Sequence, residues 1–352
     1  MHLRNLYSII LATAIVIAAA SCDKDKDNEV SPSLNGALRF SVPEYVSPKQ
    51  VVTLVPKGIS HPDDAGIGYY WKVSPSMEKS DTTRLENGLS PDGKESDGSF
   101  TYQFPDSLGT YTISCYGFAE GYTSSYKSSY TTVVKGGLDG SIQGTGILST
   151  DTKITAEGVA YYYTTHNGLD WMRNNLANPE FGTAYSNAEA MSNVFGRFYN
   201  YEEAMKACPE GWRLPTDAEW VALANSVNPE SNSKAGEPLM DVAADFMADI
   251  SFNGTKMWEY WPTVGEITNR SGLAALPAGY ANLGEKDEDG KYPAATFFGI
   301  NEYSAFWTSD KVDGSDNMAY YRYIICDQPD IPVGKGDIRT FGANVRCVRE
   351  VE

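Results

Sequence analysis

Apolar residues recur at every second position over much of the first 135 residues, whereas around residue 210 they recur at every third and fourth. Short alternating runs at residues 50–55, 69–73, 110–115 and 130–134 are separated by Gly, Pro, Asp and Ser clusters. They predict strands, and therefore an all-β first part. Trp71 lies in the middle of one run and is the expected large core residue. Residues 201–227 carry the other period. Tyr201, Ala204, Met205 and Cys208 share one helical face, Asn200 and Glu203 form a capping box, and Pro209 with Gly211 ends the helix. After Pro215, Thr216 and Glu219 form a second capping box, and Trp220, Leu223, Ala224 and Val227 repeat the helical spacing. Cys208 thus falls on a face expected to be buried, where a cysteine of an exported protein usually has a partner.

Around this helix pair the pattern predicts strands at residues 159–163 and 169–172. A short capped helix is expected to start at Ser186 with Glu189 at its third position. A further helix is expected from Leu239, Val242, Ala243, Phe246, Met247 and Ile250. Short aromatic and glycine-rich strands follow at residues 272–280, 297–299, 303–308, 319–326 and 344–348, with long polar loops between them. Five glycines between Lys135 and Ile147 mark an interdomain boundary.

Composition narrows the setting. The 352 residues suffice for two cores, and a hydrophobic content of 41% argues against wholesale disorder. A net charge of −18 offers no basic patch, so nucleic acid is excluded as a partner. Arg4, the apolar run at residues 9–20 and the small residues before Cys22 read as a secretory signal too short to remain as a spanning helix. That segment resembles a bacterial lipobox, which implies lipidation of Cys22. The acidic residues 23–29 look like the signals that follow the lipidated cysteine in surface lipoproteins of Bacteroidetes-type bacteria. The expected location is the outer membrane, at the cell surface, held by a lipid anchor.

Cys115, Cys208, Cys326 and Cys347 show no C-x-x-C spacing, and three scattered histidines do not suggest zinc. No G-x-S-x-G elbow or H-E-x-x-H helix is present, and His166, before Asn167-Gly168, reads as a turn residue. No enzyme activity is expected. Trp258, Tyr260 and Trp261, with Tyr320, Tyr321 and Tyr323, are candidates for stacking on sugar, because aromatic faces pack apolar sugar faces while polar loop groups take the hydroxyls. Asp287 and Asp289, before Gly290, suggest half of a calcium loop or a charged hairpin turn.

The run from Cys208 to Trp220, with Leu276-Pro277-Ala278-Gly279-Tyr280, Ala305-Phe306-Trp307-Thr308-Ser309 and Val345-Arg346-Cys347-Val348, closely resembles the Fibrobacter succinogenes major paralogous domain. That family is similar in turn to C-type-lectin-like folds and to formylglycine-generating enzymes. The lectin-like likeness implies a scaffold disulfide from Cys208 on the first helix to Cys347 on the final strand. It leaves the copper oxidase chemistry of the formylglycine-generating enzymes without its close cysteine pair. The Gln-Pro-Asp triplet at Gln328–Asp330 matches one that galactose-type C-type lectins use with calcium, which makes Asp327 and Asp330 ligand candidates, although no Trp-Asn-Asp follows. Residues 104–113 resemble the late strands of immunoglobulin-like and PKD-like sandwiches; Cys115 lacks a second cysteine for the antibody-type bridge and reads as a free, buried thiol.

The expected organisation is a signal at residues 1–21, an acidic tether at 22–36, an immunoglobulin-like β-sandwich at 37–135, a Gly-rich linker at 136–146 and an α+β C-type-lectin-like domain at 147–352. No cofactor is expected, calcium being the one metal the loops suggest. The expected role is non-catalytic recognition or adhesion, of glycan or of a host or matrix protein. The alternative is a structural or assembly component of a surface complex, such as a pilus tip or a polysaccharide-uptake accessory.

Overall fold

The structure, a computed structural model, describes residues 31–75, 81–85, 97–137, 140–144, 152–258 and 265–351. Cys22, the signal segment, Tyr260 and Trp261 lie outside the described residues.

The alternating runs of the first part form a five-stranded sheet. Its spatial order is Tyr45–Val46, Ser125–Val133, Gly109–Phe118, Gly68–Pro75 and Asp81–Leu85. All neighbours are antiparallel except the short first strand, which runs parallel to its partner. Period-two alternation turns Trp71, Val73, Tyr111, Ile113 and Cys115 to one face. There they share a core with Leu54, Phe100 and Phe104 from the separate Val51–Leu54 and Phe100–Gln103 pair and its edge. Trp71 is completely buried, donates its indole N–H to Gly98 O at 2.9 Å and stacks on Phe100 with ring centroids 5.7 Å apart. Cys115 is free, and burial pushes its thiol up to about 12.

Residues beside and within the glycine-rich stretch contact both parts. Val134 is buried in the core of the second part and donates its N–H to Val46 O of the first. Ile142–Gly144 then pairs with Ile250–Phe252. Tyr45 packs edge-on against Tyr185, and Ser186 donates to Glu44.

The second part is assembled from short strands. A four-stranded sheet joins Lys153–Ala156, Val159–His166, Leu169–Met172 and Val348–Glu350. Its central hairpin turns at Asn167 and Gly168, both at positive φ, as a two-residue turn between directly paired His166 and Leu169 requires. Two three-stranded sheets follow. One orders Thr296–Phe298, Tyr280–Asn282 and Phe341–Gly342; the other orders Tyr303–Lys311, Met318–Ile325 and Val333–Asp337.

The helices are α1 (Ser192–Phe195), α2 (Tyr201–Ala207), α3 (Asp217–Val227) and α4 (Ala243–Phe246). Both expected capping boxes, at Asn200 and Thr216, are formed. The one expected at Ser186 is not: that stretch makes two single 3₁₀ turns with no side-chain cap. The helix expected across residues 239–250 shrinks to α4, because Leu239 bridges to Ile331 and Asp241 takes positive φ. All six of its apolar residues are nevertheless buried. The strand expected at 272–280 begins only at Tyr280, and the one at 344–348 only at Val348. In α2, Met205 is 48% exposed, and Glu203 takes the inner position the spacing assigned to an apolar side chain.

Candidate functional site

The stretch from Cys208 to Trp220 is framework, and Arg213, Thr216, Asp217 and Glu219 spend their side chains on protein partners. Cys208 caps α2 and forms a disulfide with Cys347, 139 residues away, with Cα atoms 5.9 Å apart. Arg213 reaches Glu219 at 2.6 Å and Glu350 at 2.7 Å, tying the turn to the last strand. Thr216 and Glu219 cap α3 reciprocally. Asp217 accepts from buried Arg322 Nε at 2.6 Å and, nearer the surface, from the Gly236 N–H at 2.7 Å. Trp220 packs between Trp171, Phe246 and Phe306.

Arg346, beside the bridged cysteine, is fully buried without a carboxylate. Its guanidinium donates to Asn175 Oδ1 at 2.8 Å and to the carbonyls of Leu273 at 2.7 Å, Met172 at 3.2 Å and Ala274 at 3.3 Å. Burial lowers its pKa to about 9. These bonds explain why residues 273 and 274 remain buried without joining a sheet: a side chain satisfies their carbonyls.

The sequence candidates Tyr321 and Tyr323 do gather with other aromatics. Antiparallel register sets Tyr323 opposite Ala305 and Tyr321 opposite Trp307, while Tyr303 lies one step along the same face. The adjoining sheet brings Tyr280 and Phe341 alongside. The five rings close a circuit, with centroid separations of 5.8 Å for Tyr280–Phe341, 4.4 Å for Phe341–Tyr321, 5.6 Å for Tyr321–Tyr323, 5.2 Å for Tyr323–Tyr303 and 5.0 Å for Tyr303–Tyr280. Phe298 stacks on the outside of Tyr280 at 5.4 Å and is 46% exposed.

All five circuit residues are half-buried, and burial pushes the Tyr303 and Tyr321 hydroxyls upward in pKa. Gly334 makes room for the circuit, since a Cβ there would come within 2.3 Å of the Tyr321 ring. Tyr320 points to the other face, with the Lys335 ammonium 5.8 Å from its ring centre. Tyr280, Phe298, Tyr303 and Phe341 escaped the sequence reading as site residues. Alternation marks them as facing one way, but only the pairing of non-adjacent strands brings them together.

Trp258 corrects the expectation of an exposed platform residue. It is completely buried and donates its indole N–H to Ala275 O at 3.3 Å, so neither ring face is open to a ligand. The acidic candidates occupy two separate loops. Asp287 accepts the N–H groups of Asp289 and Lys291 at 3.1 and 2.8 Å, which is the hydrogen bonding of a charged turn. Lys286 and Tyr292 hold that turn against α2 through buried Glu203, at 2.7 and 2.8 Å. With Glu189 and Arg197 the loop borders a cleft of about 660 Å³. Asp330 accepts the Asp241 N–H at 2.8 Å and so serves the backbone, while Asp327 is exposed. Among the described residues no three His, Cys, Asp or Glu side chains converge on one point.

A family model described as the Fibrobacter succinogenes major domain matches residues 165–349, a little over half of the chain. No curated protein and no solved structure matches it.

Proposed function

The chain belongs to the Fibrobacter succinogenes major domain family, and on that premise we propose a non-catalytic surface lipoprotein whose C-terminal region recognises extracellular glycan. The observation that carries this reading is the closed aromatic circuit with half-exposed Phe298 at its rim. Aromatic faces of this kind bind the C–H faces of sugars, and the phenol groups of Tyr280, Tyr303 and Tyr323 supply polar partners at the same surface. The first part is proposed as an immunoglobulin-like sandwich, for which the facing sheets and the Trp71 core speak. The second is proposed as a C-type-lectin-like head, for which the disulfide from α2 to the final strand speaks. Lipidation at Cys22 would anchor the chain at the outer membrane, with the first part holding the head outward.

The test is binding of the full chain to a broad glycan array, with calcium and then with chelator, beside the variants Phe298→Ala and Tyr323→Ala. Calcium-independent binding weakened about tenfold by these substitutions is the expected result, roughly 1.4 kcal/mol. Binding lost in chelator would move the site to Asp327, Asp330 and the Asp287 loop. Silence across the array would reject glycan and leave a host or matrix protein, or an assembly partner, as the ligand.

A further inference from the structure

The outer face of the N-terminal five-stranded sheet carries a second aromatic surface that the C-terminal reading does not use. Tyr70 lies directly opposite Tyr116, and Tyr116 directly opposite Tyr126, so three tyrosines cross three strands in one row. Their ring centroids are 5.7 and 4.7 Å apart. Four residues along the last strand, Tyr130 stands opposite Thr112 on the same face. Tyr126 is 54% exposed and Tyr130 64% exposed.

Between these rings, the outward positions of the three strands hold only serine, threonine and Lys72. Cross-strand hydroxyl contacts join Ser114 to Tyr126 at 3.4 Å and Thr110 to Thr132 at 3.2 Å.

This composition decides the class of occupant. A docking face for a protein would be expected to carry aliphatic side chains at its centre, and the rows from Tyr70 to Ser74 carry none. A net charge of −18 disfavours an anionic polymer, and Lys72, even with Arg84 set opposite Tyr70 by register, does not reverse that. Adjacent strands place one ring after another in a line on a pleated surface, with hydroxyl groups on either side. We infer that this face binds a neutral polysaccharide laid across the strands, its sugar faces on Tyr70, Tyr116 and Tyr126 and its hydroxyls on the flanking serines and threonines. The site is separate from the C-terminal circuit and does not depend on it.

The experiment is affinity electrophoresis of the full chain through gels containing galactomannan, xyloglucan or hydroxyethylcellulose, with carboxymethylcellulose as the anionic counterpart. Retardation by at least one neutral polymer is expected. It should fall at least fivefold in Tyr126→Ala/Tyr130→Ala, whose side chains are exposed enough to leave folding intact, and be largely restored in Tyr126→Phe/Tyr130→Phe. The fall should be equally large in a Phe298→Ala background, which removes the contribution of the C-terminal surface and so separates this site from the other, while Met205→Ala, exposed on α2 and outside both surfaces, should leave retardation unchanged. Near-ultraviolet circular dichroism and sedimentation accompany each variant. Three results would overturn the inference: no retardation by any neutral polymer, equal retardation of the alanine double variant, or a self-associating chain that this double variant turns into monomer.

Discussion

The two parts of the chain keep their interiors satisfied by different means. In the first, long ladders pair the backbone with itself. Residues 111–117 of the strand Gly109–Phe118 are matched one by one on both sides, and among the described residues of its sheet the buried polar side chains are Ser114 and Thr131. In the second, short strands leave buried backbone groups outside any ladder, and buried polar side chains answer them. Asn175 serves Phe195 O, Asn178 serves Ala207 O, Asn344 serves Arg197 O, and Arg346 serves three carbonyls. A regular sheet can be built from alternation alone, whereas an irregular fold needs specific donors at specific places. The disulfide belongs to the same contrast, since it joins the irregular part, while Cys115 of the first part is free.

This contrast can be broken most severely at the disulfide. Replacing Cys208 and Cys347 together by alanine removes closure of a 139-residue loop, which the chain-entropy model values at about 5 kcal/mol. Hydrogen exchange read region by region should show the loss between residues 152 and 351 and little change in the strands around Trp71. Equal loosening of both parts would show that they fold as one unit.

Arg346→Ala comes next, at roughly 3–5 kcal/mol, because it leaves buried carbonyls unpaired and a cavity beside Phe306. Denaturant unfolding measures it, and a cost under 1 kcal/mol would mean that water replaces the guanidinium.

In the first part, Cys115→Ala sharpens the comparison through pH. Burial pushes the folded thiol up to about 12 from an ordinary 9.0, so its folded pKa is raised. The native state keeps a proton that the unfolded chain releases, and the resulting stabilisation is complete below pH 9 and lost as pH rises towards 12. Unfolding midpoints of the first part should therefore fall more steeply over this range in the parent than in Cys115→Ala. Matching slopes would reject the assignment.

The smallest effect is expected at Arg213→Ala. Its guanidinium is 44% exposed, and such partly solvated pairs contribute about 1 kcal/mol or less. A loss of several kcal/mol would move this arginine into the same class as Arg346.

Alternation in the first part and the two capping boxes in the second were legible because they are local. Period-two burial follows from strand geometry, and Asn200–Glu203 and Thr216–Glu219 each lie three residues apart. Local patterns misled where tertiary contacts overrode them. Leu239 to Ile250 read as a helix because each apolar residue is buried, yet burial there comes from bridging to Ile331 and not from a helical stripe. Trp258 read as a sugar-stacking candidate because aromatic faces pack apolar sugar faces, and the core took it.

The sequence by itself therefore determined the β-rich character of the chain, its strands near Trp71, its helix pair at residues 201–227 and, through family resemblance, the Cys208–Cys347 bridge. Only the tertiary structure decided which aromatics meet. Tyr280, Tyr303, Tyr321, Tyr323 and Phe341 come from four strands in two sheets, as Tyr70, Tyr116 and Tyr126 come from three strands in one. The physical reason is that side-chain direction along a strand follows from two-residue periodicity, while the choice of neighbouring strand and its register depends on the packing of the whole chain.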